Sequence, residues 1–174
     1  MEDVHRLSFY TTHSQFYLID PAVEANTGSD KFWTDEAHKR GLAVEAGVLG
    51  VGTASYGHVR CFFQFSRSEP TLPVAPWQRV VEASIYLSEG RYAVINCPDS
   101  TVHHQGVSDP GDYRLRVHGA FLDQVVEDGL GDDCFDFYWL VLWPAPFAAP
   151  RIGCQSAGSF PAAARRILSS ILPK

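Results

Sequence analysis

The chain has 174 residues, of which 45% are apolar and 20% are charged, and its formal net charge is -6. This length suits one well-buried domain, and the apolar content excludes a largely disordered chain. The excess of carboxylates disfavours sequence-independent nucleic-acid binding, which needs clustered Lys and Arg to displace counterions from phosphates. It is compatible with a basic protein partner and equally with an ordinary soluble protein.

The N-terminal residues 1–6 lack the basic and apolar regions of a secretory signal, and no apolar run reaches the length needed to cross a bilayer. We therefore expect a cytoplasmic protein without membrane contact. The cysteines are widely spaced and form no Cys-x-x-Cys pair, so neither a redox motif nor a structural zinc site is predicted. In a reducing compartment we expect free thiols, mostly in the core, at Cys61, Cys97, Cys134 and Cys154.

Strand-like segments follow one another along the chain, separated by Gly, Pro, Asp or Ser. They cover residues 7–10, 15–20, 42–51, 58–65, 79–87, 91–97, 113–119 and 135–143. Strands at this spacing without intervening helices favour an antiparallel sandwich or barrel. We expect a single all-β domain over 1–174, an antiparallel β-sandwich with one short internal helix and a C-terminal helix.

Glycine and proline mark the turns between these strands. Residues 88–90, Ser-Glu-Gly, predict a tight hairpin because Gly supplies the positive φ that short loops require. Residues 110–112, Pro-Gly-Asp, predict a turn into the strand that begins at Tyr113. Pro144 and Pro146 are expected to end the last long strand, since proline cannot donate to a ladder.

Two helices are predicted. The first begins after Thr34 as N-cap and ends at Gly41, with acidic residues in its first turn and basic residues in its last. The second covers residues 160–172 with Ser159 as a plausible cap, and lies in a helical extension formed by residues 156–174. We expect this extension to pack on the sandwich; docking on a membrane or a partner is the alternative.

The segment that joins the last two predicted strands carries only acidic charge, because no Lys or Arg occurs from 121 to 138. A solvated loop, an acidic patch that binds a protein and a calcium site all remain possible interpretations. The spacing fits no Asp-x-Asp-x-Asp loop, which disfavours calcium. The acidic residues are Asp123, Glu127, Asp128, Asp132, Asp133 and Asp136.

No motif predicts catalysis, a metal or another cofactor. Neither a Gly-x-Ser-x-Gly elbow nor a Gly-rich phosphate loop is present. The densest histidine group is His103 and His104 behind Asp99, but its spacing is not that of metal ligands on a strand or helix. A metal-dependent enzyme that uses these residues or His118, or a calcium-binding sandwich module, is kept as the alternative hypothesis.

Residues 32–43, Phe-Trp-Thr-Asp-Glu-Ala-His-Lys-Arg-Gly-Leu-Ala, resemble a stretch in the competence protein J family of nuclease inhibitors, and residues 13–16, His-Ser-Gln-Phe, resemble an upstream strand of that family. The likeness spans residues 12–146 and is densest between 33 and 41. It implies an inhibitor of a DNA-entry nuclease, or an immunity protein that neutralises a basic DNase toxin. Nucleases gather Lys and Arg around their DNA path, so an acidic surface would meet that potential and occlude the path.

Tight inhibition also requires an anchor at the centre of the interface, for which aromatic residues are preferred. Trp33 and Trp77 are the candidates because each lies in or beside a predicted loop. Their alternative role is to plug one end of the sandwich. The predicted partner-binding residues are thus these two tryptophans together with the six acidic residues named above.

Overall fold

A computed structural model describes residues 3–71, 77–124 and 135–156 of the chain. These residues form eleven strands and one short helix in two packed sheets, which confirms the predicted β-sandwich with one short internal helix. The predicted C-terminal helix lies outside the described residues. In chain order the elements are β1 (Val4–Thr11), β2 (Gln15–Ile19), α1 (Asp35–Arg40), β3 (Leu42–Glu45), β4 (Val48–Gly52), β5 (Gly57–Phe65), β6 (Arg79–Leu87), β7 (Arg91–Asn96), β8 (Val102–Val107), β9 (Gly111–Ala120), β10 (Phe137–Pro144) and β11 (Arg151–Gln155).

One sheet has six strands in the order β1-β5-β10-β9-β6-β11, and the other has five in the order β3-β4-β2-β7-β8. All the strand pairs in the described residues are antiparallel except β5 and β10, which run parallel. Because β10 enters beside the start of β5 and the end of β9, the loops that precede β5 and β10 lie at the same end of the sandwich.

Three segments differ from the predicted elements. The predicted strand over 42–51 is two strands, β3 and β4, joined by a turn in which Gly47 has φ +74°. The strands β8 and β11 are missing from the sequence prediction. Both are edge strands with mostly exposed or half-exposed side chains, so they lack the apolar alternation by which half-buried strands are recognised.

The main core lies between the two sheets. Phe16 and Leu18 of β2 meet Phe63, Leu140 and Tyr138 from the six-stranded sheet, and all five side chains are at most 1% exposed. The rings of Phe16 and Tyr138 make an edge-to-face contact with centroids 6.1 Å apart. Full burial of such side chains contributes about 1.5–3 kcal/mol each, so this contact layer fixes the two sheets face to face.

Helix α1 belongs to a layer that covers the outer face of the five-stranded sheet. Ala37 of the helix and the preceding Phe32 are buried against β2, β3 and β7. Thr34 caps the helix by accepting a hydrogen bond from Ala37 N at 3.2 Å, and Gly41 ends it at φ +67°, as predicted. The caps and the buried face therefore fix both the length and the position of α1.

A buried ion network lies on the outer face of the six-stranded sheet. Glu82 of β6 accepts hydrogen bonds from Arg116 Nε at 2.6 Å and Arg114 Nε at 3.2 Å. Arg151 of β11 adds a third, more exposed ion pair at 3.0 Å, and the Arg116 guanidinium lies over the ring of Trp143. Because one carboxylate here faces three guanidinium groups, loss of Glu82 would leave buried charge unpaired.

The two ends of the sandwich have different surfaces. One end, called the pocket end below, carries the starts of β2, β5, β6 and β10 and the ends of β4, β7 and β9. The opposite end, called the hairpin end, carries the β3–β4 hairpin at Gly47, the turn between β6 and β7 at Gly90 and the turn into β9 at Gly111. Gly90 has φ +67°, as predicted for a tight turn between β6 and β7. The predicted hairpin is wrong, because β6 and β7 belong to different sheets and do not pair; the turn carries the chain from one sheet to the other.

Candidate functional site

A cavity of about 300 Å³ opens at the pocket end, between the two sheets and helix α1. His13 and Ser14 border it from the β1–β2 turn, Trp33 and His38 from the α1 layer, and Arg79 from the start of β6. Gly52 and Thr53 at the end of β4 add a fourth segment. These residues are far apart in the chain, so the cavity exists only because the sandwich brings the four segments together.

The turn between β1 and β2 holds the first wall in a defined conformation. His13 and Ser14 have φ values of +58° and +51°, in the left-handed region that few residues other than glycine adopt. Thr12 N donates to Cys97 O at 2.9 Å, and Thr53 N donates to Ser14 O at 2.8 Å. The strained turn is thus tied to both neighbouring loops, which fixes the position of the His13 imidazole at the rim.

The second wall is aromatic. Trp33 is half-buried and its ring centroid lies 5.1 Å from that of His38, while its other neighbour, Phe32, is fully buried. The indole covers the backbone of β4, where a Cβ on Gly52 would stand 3.2 Å from Trp33 Cη2. Glycine at position 52 therefore leaves room for the indole beside the strand.

The third wall is the guanidinium group of Arg79. Its Nη2 donates to Gly52 O at 2.6 Å, and its Cζ lies 5.9 Å from the centroid of the Tyr138 ring. The group passes so close to Gly41 that a Cβ there would stand 2.0 Å from Arg79 Nη1. Gly41 is thus required twice, for the left-handed exit of α1 and for the approach of the arginine.

Both anchors of the acidic segment lie at the pocket end. On the β9 side, Gln78 Nε2 donates to Asp123 at 2.9 Å and Gln78 Oε1 accepts from Leu122 N at 2.8 Å. On the β10 side, Asp136 accepts from Ser55 N at 3.1 Å and from the Tyr138 hydroxyl at 2.7 Å. The acidic segment therefore leaves and re-enters the sandwich beside the cavity.

The interior position of Tyr138 explains its protonation state. Burial, and then the charge of Asp136, raise the pKa of the Tyr138 hydroxyl well above its ordinary value. The neutral hydroxyl can both donate to Asp136 and accept from Ala54 N at 2.7 Å. This pair of bonds fixes the loop before β5 to the start of β10, directly behind the cavity.

The predicted partner-binding residues fall into three groups. Trp33 is half-buried at the cavity rim, and Asp123 is exposed. Trp77 and Asp136 are each 2% exposed, because Trp77 packs among the rings beside His118 and Asp136 is enclosed by its hydrogen bonds. The remaining acidic residues lie outside the described residues; they are Glu127, Asp128, Asp132 and Asp133.

The residues of the alternative enzyme hypothesis do not meet at one point. His103 and His104 follow each other on β8, whereas His118 is enclosed beneath Trp77. Burial lowers the pKa of both His104 and His118 to about 4, which keeps these rings neutral. Within 3–71, 77–124 and 135–156 no group of three or more His, Cys, Asp or Glu is arranged to hold a metal ion.

Trp33 is predicted from the sequence as a binding residue, whereas His13, His38 and Arg79, which line the same cavity, are not. The local pattern offers little signal for them, since an arginine at the start of an apolar strand and a histidine in a turn are usually solvated. Two segments singled out by the family resemblance, 13–16 and 32–43, do supply most of the cavity walls. Their proximity depends on the pairing of β2 with β4, which no local pattern reveals.

Two solved structures are similar to this chain. ComJ from Bacillus subtilis, an inhibitor of the DNA-degrading activity of NucA, aligns with a TM-score of 0.61 and 17% identity over 83% of this chain and 99% of its own. A structure described as crocagin biosynthetic gene J aligns with a TM-score of 0.55 and 15% identity, over 84% and 99%. The chain therefore has a ComJ-like fold, which confirms the predicted resemblance.

No protein-family model matches the chain, and no curated protein matches it in sequence. The helix found in the described part of the chain has six residues, and none there is long and apolar enough to span a membrane.

Proposed function

We propose that this protein inhibits a DNA-degrading nuclease by binding it with the pocket end of the sandwich and covering the path of the DNA. The observation that carries the proposal is the fold shared with ComJ, which inhibits the DNA-degrading activity of NucA. An inhibitor of this kind needs no catalytic group, only a surface that fits the target.

Charge supports the choice of surface. The chain carries a formal charge of -6, and the acidic segment that begins at Asp123 is anchored at the pocket end on both sides. A nuclease concentrates Lys and Arg along its DNA path, so opposite charge on an inhibitor accelerates association and favours the correct orientation. The segment between the two anchors is the proposed electrostatic contact.

Trp33 is the proposed anchor of the interface. Its indole is half-buried, rests on β4 and lies beside an open cavity, so little conformational entropy is lost when a partner covers it. Truncation of an anchor residue of this kind to alanine typically costs about 2 kcal/mol or more of binding free energy. Asp136 holds the loop before β5 behind this surface through its bond to Ser55 N, whereas Trp77 packs in the aromatic cluster on the outer face of the six-stranded sheet.

The biological role that follows is neutralisation of a DNase in the cytoplasm, either a DNA-entry nuclease or a toxin. The protein would then act stoichiometrically, since a blocked active site is released only when the complex dissociates. Its selectivity would come from the shape around Trp33, because charge alone attracts many basic proteins.

The test is a DNA-cleavage assay in which the full chain is titrated first against NucA and then against any nuclease encoded beside it. We expect cleavage to fall in proportion to added protein until the nuclease is saturated. Trp33→Ala should weaken inhibition at least about tenfold. The matched control is Tyr86→Ala, which removes an aromatic ring that is 56% exposed near the hairpin end.

Two outcomes would contradict the proposal. Cleavage by every nuclease tested could remain unchanged at saturating amounts of folded protein, which would remove the inhibitory function. Alternatively, inhibition could occur but be lost equally with Trp33→Ala and Tyr86→Ala, which would place the interface elsewhere.

A further inference from the structure

The cavity at the pocket end has cationic and aromatic walls, although it lies beside an acidic segment. We propose that this cavity is a binding site for a carboxylate group, held by the Arg79 guanidinium and packed against Trp33. The carboxylate belongs either to a small free acid or to a side chain of a bound protein. This assignment stands independently of nuclease inhibition.

Arg79 carries a charge that no acidic residue of the described chain neutralises. Its guanidinium group is half-buried, and within 3–71, 77–124 and 135–156 it forms no ion pair. By contrast, Arg114 and Arg116 are both paired with Glu82. A partly desolvated guanidinium without a counter-ion is stabilised by any anion that can reach it, and its planar fork matches a carboxylate.

The nearest interior carboxylate is already engaged elsewhere. Asp136 accepts hydrogen bonds from Ser55 N and from the Tyr138 hydroxyl. It therefore supports the floor behind the cavity and does not pair with Arg79. Among the described residues that border the cavity none is acidic, and Arg79 gives this part of the lining a positive charge.

Arg79 is also held in place before any ligand arrives. Its Nη2 bond to Gly52 O and its position against Gly41 and the Tyr138 ring fix the plane of the guanidinium group. The Nε atom is buried and has no hydrogen-bond partner in the described chain. A fixed donor group loses little entropy on binding, so even a small ligand can gain measurable affinity.

The remaining walls define the ligand further. His13 and His38 add imidazole groups at the rim, and Ser14, Gln15 and Thr53 add neutral hydrogen-bonding groups. Trp33 and His38 form an aromatic face suited to a flat or short apolar body next to the charge. A volume of about 300 Å³ accepts a compact acid or one side chain, at the small end of the usual range for ligand sites.

The experiment uses the ¹⁵N-labelled full chain and two-dimensional NMR of the indole N–H groups. Trp33 is the half-buried tryptophan, whereas Trp77, Trp139 and Trp143 are each at most 5% exposed. The Trp33 signal is assigned from the spectrum of Trp33→Phe. We titrate benzoate, acetate, N-acetyl-glutamate amide and inorganic phosphate separately at constant ionic strength.

We expect a saturable shift of the Trp33 signal with carboxylates, larger than that of the three buried indoles. Arg79→Gln should weaken this binding at least about tenfold, because a charge-assisted hydrogen bond is lost. The matched control is Arg91→Gln, which removes the same charge from the exposed start of β7 at the hairpin end and should leave binding unchanged.

A second variant keeps the test decisive if Arg79→Gln fails to fold. Gln15→Glu preserves side-chain size and places a carboxylate at the cavity wall, so it should also abolish the shift. Saturation with benzoate or acetate assigns a free acid, and saturation with N-acetyl-glutamate amide alone assigns a side chain of a partner. The proposal is overturned if no carboxylate gives a saturable shift, if only phosphate does, or if binding survives in the folded cavity variants.

Discussion

Replacement of Gly41 by alanine tests the geometry of the cavity from two directions at once. Gly41 has φ +67°, a conformation that costs an alanine about 1 kcal/mol. Its new Cβ would stand 2.0 Å from Nη1 and 2.6 Å from Cζ of Arg79, so the guanidinium must move. That movement breaks the charged hydrogen bond to Gly52 O, worth about 2 kcal/mol.

The free energy of unfolding should therefore fall by about 3 kcal/mol in Gly41→Ala. Urea denaturation of the wild type, Gly41→Ala, Arg79→Ala and the double variant measures each cost. In the Arg79→Ala background the clash is absent, so Gly41→Ala should cost only the strain of an alanine in the left-handed conformation, about 1 kcal/mol. The interaction energy between the two positions should be about 2 kcal/mol.

Additive losses of unfolding free energy in the double variant would show that the two positions do not interact. If Gly41→Ala costs the same free energy with and without the Arg79 side chain, the guanidinium does not occupy the space beside Gly41. The carboxylate site would then lose its fixed donor, since Gly41 and Gly52 hold that group in position.

Three further predictions concern stability. Burial acts to raise the pKa of Glu82, but hydrogen bonds from Arg151 and Arg116 outweigh it, so the pKa lies below its ordinary value. The wild type should therefore lose stability as the pH falls below about 4.5. In urea unfolding, Glu82→Gln should cost about 3–5 kcal/mol near neutral pH and should show a smaller loss of stability at acid pH. Burial lowers the pKa of His118 from 6.5 to about 4, so between these values the unfolded chain binds a proton that the native chain excludes. Stability should fall by up to about 1.4 kcal/mol per pH unit as the pH drops through that range, and an unchanged slope in His118→Gln would contradict this assignment. Thr34→Ala removes the cap of α1 and should cost about 1 kcal/mol in the same assay, whereas no loss would mean that packing alone holds the helix.

Helix α1 shows what local chemistry predicts well. The N-cap Thr34, the basic last turn and the C-cap Gly41 lie within a few residues of one another. The local sequence therefore contains all the signals that begin and end this helix. The turn at Gly90 is predictable for the same reason, because a positive φ in a short loop selects glycine. That this turn joins two sheets and not two paired strands depends on distant contacts, which the local pattern does not contain.

The edge strands and the cavity show where local chemistry fails. The strands β8 and β11 form because a neighbouring strand offers free backbone groups, and their own side chains give no apolar period. The cavity is lined by His13, Trp33 and Arg79, which are distant in the chain and come to the same place only after both sheets have formed. Position in space, not residue type, makes Arg79 a candidate site residue.

Inhibition through the acidic pocket end is measured in a nuclease assay with two variants that lose the same number of negative charges. The first neutralises the acidic segment with Asn or Gln at Asp123, Glu127, Asp128, Asp132 and Asp133. The second neutralises five acidic residues at or near the hairpin end, namely Glu24, Glu45, Glu89, Asp109 and Asp112.

We predict that the wild type and the hairpin-end variant inhibit DNA cleavage with the same affinity. The pocket-end variant should fold normally yet inhibit more weakly, and the difference should be largest at low salt, where charges are least screened. Equal inhibition constants for the two variants at every salt concentration would mean that the acidic segment makes no electrostatic contact with the nuclease. No inhibition by the wild type would mean that the protein is not an inhibitor of that nuclease.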